Sequence, residues 1–257
     1  MNQSVIKALT LLNLFTEETP ELTLKEISVK SNLPKPTAYR LLTTLERLDY
    51  LSKESEHDSR YRLGLKLLEL GQLVSDQLEV RGLALPFMEK LGKEINEVIH
   101  LVIVYQNRAT YIEKVDSTRP LRLNTRVGKS TPLYIGSGPK LLLAHMPKEK
   151  QKEIINNQPL KPLKSKKLID IEAFWKELAD IQKKGFACSV DEQDLDTTGI
   201  SYPIYNFRNE VIASLTVSGL SRYFEGDHLT HIKEQTKQTA LEISRKLGYQ
   251  LTEAHQR

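Results

Sequence analysis

An α+β fold in two domains is predicted by three features: amphipathic helical stripes as far as Tyr50, a pair of short strands around a polar turn just beyond it, and then β-branched runs mixed with helices. The 257 residues suffice for two modest domains with separate cores, although one large domain also fits. The boundaries read as 1–64 for the first domain, 65–79 for a linker helix and 80–257 for the second domain.

The first helix, Gln3 to about Phe15, repeats Val5, Ala8, Leu9, Leu12 and Phe15 at helical spacing, and the EETPE loop with Pro20 ends it. Thr23-Leu24-Lys25-Glu26 is a capping box opening a short helix to about Ser31, with Leu24 and Ile27 inward. Asn32-Leu33-Pro34 is a turn. Pro36 suits the first position of a third helix, because its missing donor is not needed there. That helix places Ala38, Leu41, Leu42, Leu45 and Leu48 on one stripe. Its other face carries Thr37, Arg40, Thr44 and Arg47, with Lys35 at the start: hydroxyls and guanidiniums of the kind that contact phosphates and guanine edges.

Strands at about Leu51 to Lys53 and Arg60 to Leu63 flank the turn ESEHDS. Three helices and a hairpin make a winged helix-turn-helix, whose third helix lies in a DNA major groove. The candidate DNA-binding residues are Lys25, Lys35, Pro36, Thr37, Tyr39, Arg40, Thr44, Arg47, Arg60 and Arg62. A small helical bundle with a solvated charged face is the alternative. Charge does not decide between them: the chain carries +4, and residues 1–64 hold nine Lys/Arg against nine Asp/Glu. Placement favours DNA, because the basic residues share a helix face.

From Leu65 a leucine-rich helical run continues for about thirty residues, breaking near Gln77 to Gly82 and bending at Pro86. Its leucines either form a dimer contact or pack on their own domain. VIHLVIVY (98–105) reads as a central strand, Gln106-Asn107-Arg108 as its turn into ATYIEKV, and LRLNTRV as another strand. The loop IGSGP leads into the helix KLLLAHM, and a lysine-rich stretch (147–167) supplies a solvated surface with a short helix. Ile171 to Lys184 is amphipathic, and Gly185 releases it into FACSVDEQ. In VIASLTVSG, Val211, Ala213, Leu215 and Val217 alternate with Ile212, Ser214, Thr216 and Ser218, so one face is a row of hydroxyls that meets either water or a polar cavity. A helix from Asp227 to Leu247 follows.

Several chemistries find little support. The single cysteine, Cys188, forbids an internal disulfide and reads as a small buried residue; with no targeting segment or membrane span in view, a cytoplasmic protein is expected. GSGPK lacks the residues of a P-loop. His228 and His231 fit a solvent-facing helix better than a metal site, and no base or oxyanion donor stands beside the acidic loop Asp191, Glu192, Asp194, Asp196. No cofactor, metal or catalytic residue is expected. An enzyme with a helical interaction domain and a DNA-binding protein without effector remain as alternatives.

Four segments carry a resemblance: LPKPTAYRLLTTLERLDYL, YRLGLKLLELG, GFACSVDE and VIASLTVSG. With them the chain resembles the IclR family of bacterial transcription regulators over essentially its whole length. The resemblance implies a homodimer, often a dimer of dimers, with a winged helix on double-stranded operator DNA and a GAF-like domain that binds a small effector, often a carboxylic acid. It implies effector contacts at Leu121, Leu123, Ser137, Gly138, Ser189, Asp191, Glu192, Gly199, Thr216 and Ser218. Departures from the family pattern are Pro36 for serine, Pro139 for glycine, Ser189 for an acidic residue and Leu220 for proline. An effector-responsive regulator, a repressor on a palindromic site, is the expectation.

Overall fold

The computed structural model describes residues 1–16, 18–53, 60–76, 79–119, 123, 125–156, 159–161 and 168–250. The chain divides into two compact units, Met1–Gln77 and Leu78–Arg257.

In the first unit, helix α1 (Gln3–Leu12) starts at Asn2, whose side chain accepts the Ser4 and Val5 N–H groups. The inward face is partly the expected one: Ala8, Leu12 and Phe15 pack with the core and Leu11 is fully buried, while Val5 and Leu9 are 52% and 54% exposed. Strand β1 (Glu21–Thr23) went unanticipated because three residues carry no readable alternation. Helix α2 (Leu24–Ser31) has the predicted capping box, with Thr23 N–H donating to Glu26 Oε2 at 2.8 Å and Glu26 N–H donating to Thr23 Oγ1 at 3.3 Å. Left-handed Asn32 (φ 54°) ends it.

Helix α3 (Lys35–Arg47) is capped by Pro34, which makes Pro36 its second residue rather than its first; the proline still costs no hydrogen bond there. Ala38, Leu42 and Leu45 are buried, whereas Leu48 is 57% exposed because the helix stops at Arg47 and the chain turns through Asp49 (φ 59°). Strands β2 (Leu51–Ser52) and β3 (Arg60–Leu63) are the wing, and the turn expected at 54–59 lies outside the described residues. The sheet order is β1-β3-β2. Gly64 leads into helix α4 (Leu65–Asp76), and a Cβ on it would lie 2.1 Å from the Asp49 carbonyl oxygen. Leu11, Leu22, Ile27, Leu42, Leu51 and Tyr61 make the core.

The second unit begins with helix α5 (Glu79–Ile95), which is continuous through Gly82 and Pro86, so the expected break does not extend to Gly82. Strands β4 (Val98–Tyr105) and β5 (Arg108–Val115) form a hairpin whose two turn residues, Gln106 and Asn107, both take positive φ, as a right-twisted two-residue turn requires. Strand β6 (Ser130–Thr131), helix α6 (Ser137–His145), helix α7 (Lys148–Asn156) and helix α8 (Ile171–Lys184) follow. The chain continues as strands β7 (Ala187–Val190), β8 (Thr197–Tyr205) and β9 (Val211–Leu220), then helix α9 (Gly226–Lys246).

The six strands form one antiparallel sheet in the order β6-β5-β4-β9-β8-β7. Helices α5 and α9 cover one face, with Met88, Leu91, Ile243, Leu101 and Leu215 in that core. On the other face α6 and α8 place Leu141, Leu143, Phe174 and Leu178 against Val102. Leu123 and Thr125–Val127 are not in a strand, contrary to the reading of LRLNTRV, and Leu121, Arg122 and Asn124 of that stretch lie outside the described residues. Cys188 is exposed rather than buried, because on β7 it is Ala187 that faces inward. His228 and His231 are not wholly solvent-facing: their Nε2 atoms lie 3.9 Å from Glu97 Oε1 and 3.6 Å from Glu94 Oε1.

Candidate DNA-reading face and effector crevice

Burying Ala38, Leu42 and Leu45 turns the opposite side of α3 outward, leaving Lys35, Pro36, Tyr39, Arg40, Thr44 and Arg47 exposed and Thr37 half-buried. The side chains of Lys35, Arg40 and Arg47 make no hydrogen bond or ion pair with any described residue. Thr44 Oγ1 donates to the Arg40 carbonyl at 2.9 Å, so its proton is committed to the helix. Lys25 is exposed in the first turn of α2, and Arg60 is exposed on β3. Arg62 is already partnered: its Nη2 lies 2.7 Å from Glu21 Oε1, across the register pair that joins β3 to β1. Glu21 therefore belongs to the wing's own sheet rather than to an acidic loop elsewhere.

In the second unit the hydroxyl row of β9 lies beneath the N-terminal end of α6. Ser214 and Thr216 are buried, which decides between bulk water and a covered site. Ser201 Oγ donates to Ser137 Oγ at 2.8 Å and lies 2.8 Å from Thr216 Oγ1, linking α6 to β8 and β9. Two glycines permit this approach. A Cβ at Gly138 would lie 2.5 Å from Thr216 Oγ1, and one at Gly199 would lie 2.8 Å from Ser137 Oγ.

The crevice beside this junction is narrow, with a cavity volume of about 30 Å³, far below the range for small-molecule sites. Eight of the ten residues expected at the effector site line it: Leu123, Ser137, Gly138, Ser189, Glu192, Gly199, Thr216 and Ser218. Asp191 does not join them; it is exposed in a left-handed turn (φ 58°), its N–H donating to the Thr197 carbonyl. Leu121 lies outside the described residues.

Sequence reasoning missed His100, Tyr111, Thr125, Gln193, Asp194, Thr197 and Thr198 among the lining residues. His100 had a readable signal, a lone imidazole inside the apolar run VIHLVIVY. Its Nε2 lies 2.7 Å from Thr125 Oγ1, its Nδ1 has no partner, and burial lowers its pKa to about 3. The ring is therefore neutral at pH 7. Tyr111, packed edge-on against His100, meets the Gln193 side chain at its hydroxyl. Glu192 Oε2 accepts the Gly136 N–H at 2.7 Å, and its Oε1 takes a 2.5 Å bond from Lys140, which also binds Glu177. Burial is the largest single influence on Lys140 and lowers its pKa, but the charges and hydrogen bonds of Glu192 and Glu177 together outweigh it and raise the pKa above the usual lysine value.

Among the described residues the crevice holds hydrogen-bonding groups without a nucleophile–base–orienter constellation, and the first unit presents a basic helix face. Residues 4–55 match the IclR helix-turn-helix domain and residues 72–245 the bacterial transcriptional regulator IclR C-terminal domain. The chain is 36% identical over 248 residues to the HTH-type transcriptional regulator KipR of Bacillus subtilis, covering 96% of this chain and 98% of that one. The Thermotoga maritima IclR crystal structure superposes with a TM-score of 0.80 at 27% identity, covering 96% of this chain and 99% of that one. An IclR homolog from Microbacterium hydrocarbonoxydans complexed with 4-hydroxybenzoate gives a TM-score of 0.83 at 25% identity, covering 95% and 99%. The chain belongs to the IclR family of bacterial transcriptional regulators: it is a DNA-binding regulator with an effector-binding domain, not an enzyme.

Proposed function

We propose that this regulator reads a two-fold symmetric operator as a dimer or dimer of dimers and acts as a repressor whose occupancy changes when a small molecule enters the crevice. The observation that carries the DNA half is the set Lys35, Arg40 and Arg47, exposed and unpartnered on the face of α3 opposite its buried stripe. Arg40 and Arg47 are two turns apart, so one guanidinium reaches base edges while the other holds a phosphate. Lys25 and Arg60 add phosphate contacts, and Thr37 and Tyr39 fix the entry of the helix.

Association is supported by apolar surface on two helices of the first unit. Val5 and Leu9 of α1, and Leu65, Leu68 and Leu73 of α4, are each more than half exposed. Five such residues in one small unit exceed what isolated surface leucines explain, and a second copy would cover them. For the effector half, the support is the covered hydroxyl row and the convergence of eight expected positions on one crevice. Ligand acts on DNA affinity only through a difference in affinity for two arrangements of the dimer.

Footprinting of the regulator on its own upstream region tests the reading, with sedimentation of the free protein alongside. Protection of two half-sites about one helical turn apart by a dimer or tetramer is expected. Monomeric protein, or protection of a single half-site, would contradict it.

A further inference from the structure

We propose that the second unit carries another small-molecule site, a groove between the C-terminal end of α8, strand β8 and helix α9, which takes an amphiphilic anion: a carboxylate on an extended apolar body. The groove is separate from the crevice at α6 and, among the described residues, shares no lining residue with it.

The groove has a cavity volume of about 750 Å³, within the range of small-molecule sites, whereas the crevice has about 30 Å³. His145, Tyr205 and Asn209 line the groove and also an adjoining cavity of about 590 Å³, whose other walls include Val104, Leu142 and Ile212. A ligand body can therefore run from one into the other over apolar surface. Aromatic stacking holds the groove's own walls in place. Phe186 stacks on Tyr202 with ring centroids 5.6 Å apart, and Tyr205 on Tyr249 at 4.8 Å. All four rings line the groove, and Tyr202 and Tyr249 are each 8% exposed, so the walls are ordered before a ligand arrives.

One end of the groove is basic. Lys183 and Lys184, in the last turn of α8, and Lys237 on α9 all line it. Lys184 is committed elsewhere, its Nζ 3.0 Å from Asp180 Oδ2 one turn back on the same helix. Lys183 also offsets the negative end of the α8 dipole. Lys237 stands in the middle of α9, beyond the reach of the dipole at either end. The side chains of Lys183 and Lys237 are exposed and make no hydrogen bond or ion pair with any described residue, Glu234 one turn from Lys237 included. Glu210, in the adjoining cavity, accepts from the Asn206 side chain at 2.9 Å. Ammonium groups at one end and aromatic and aliphatic walls beyond them match a ligand with its charge at one end and its apolar body behind. A small inorganic anion would leave the apolar walls wet, and a neutral apolar molecule would leave the ammonium groups without a partner.

Titration calorimetry of the full chain with octanoate, octanamide and butyrate tests this. Octanoate is expected to bind about fivefold or more tightly than octanamide, the effect of pairing with two exposed ammonium groups. It should also exceed butyrate by about tenfold or more, because butyrate has four fewer methylenes to bury. The double variant Lys183→Glu, Lys237→Glu should weaken octanoate by about tenfold and leave octanamide within about twofold. The same charge change at Lys90 and Lys93, exposed on α5, should leave octanoate within about twofold, since distant surface charges are screened. Circular dichroism checks that both double variants are folded. Failure of octanoate to bind, equal binding of octanamide or butyrate, or equal losses in the two double variants would overturn the proposal. Sedimentation of the same samples covers the other occupant: self-association lost in Lys183→Glu, Lys237→Glu, with no octanoate bound by the wild type, would place a second copy of the chain in the groove and overturn it as well.

Discussion

Arg62 and Glu21 hold one another across β3 and β1, Nη2 to Oε1 at 2.7 Å, so one of the two wing arginines expected at DNA is already neutralised within its own sheet. Arg62→Ala should therefore change DNA affinity by no more than about twofold, since a paired guanidinium releases few counterions. Glu21→Ala removes this partner and one negative charge beside the wing, and should raise affinity at low salt. Anisotropy titrations at several salt concentrations check both, and a large loss in Arg62→Ala would show that the pair opens on DNA.

Gly64 meets the Asp49 carbonyl oxygen where its own Cβ would stand, at 2.1 Å. Backbone must move to admit a methyl group there, so Gly64→Ala should destabilise the first unit by about 2–4 kcal/mol, the range of severe steric substitutions. Urea unfolding followed by circular dichroism measures it. Tolerance of alanine would mean that the junction of wing and α4 is not rigid.

The N-terminal unit was largely legible because its signals are local. The capping box and the amphipathic α3 each lie within a few consecutive residues, and the structure reproduces both. The inward face of α1 was only partly legible, since Ala8, Leu12 and Phe15 of the apolar stripe meet the core but Val5 and Leu9 do not, and β1 exists only through pairing with β3. In the second unit the alternation of β9 was readable, but what covers the hydroxyl row depends on α6, which sequence spacing does not place. Tyr111 and Gln193 meet from positions 82 residues apart, and no local pattern announces such a contact.

His100 is buried and its pKa falls from 6.5 to about 3, chiefly through burial. The unfolded chain binds the proton first, so the stability owed to neutral His100 is complete above about pH 6.5 and is lost as pH falls toward 3. Between pH 7.5 and 4.5 the wild type should lose about 2–3 kcal/mol more than His100→Gln. Denaturant unfolding at the two pH values decides this, and parallel losses would contradict it.

Glu97 has the opposite sign. Its fully buried carboxyl is raised from 4.5 to about 7, mainly by burial and partly offset by Arg119, whose Nε lies 3.0 Å away. The protonated form suits the fold, so this contribution is present below about pH 4.5 and lost as pH rises through 7. Glu97→Gln should be more stable than the wild type by about 1–3 kcal/mol at pH 8, with the gain shrinking toward pH 5. A variant less stable at pH 8 would show that the ion pair with Arg119 outweighs burial.

In the proposed function, α3 supplies the sequence reading through Arg40. The direct measurement selects binding sites for the full chain from a randomised duplex library, then compares wild type with Arg40→Ala on the enriched site and on unrelated DNA at fixed salt. A two-fold symmetric site is expected, on which Arg40→Ala costs about 1–3 kcal/mol, roughly 5- to 150-fold, with little change on unrelated DNA. Equal affinity of wild type and Arg40→Ala for that site, or equal losses on both DNAs, would contradict it.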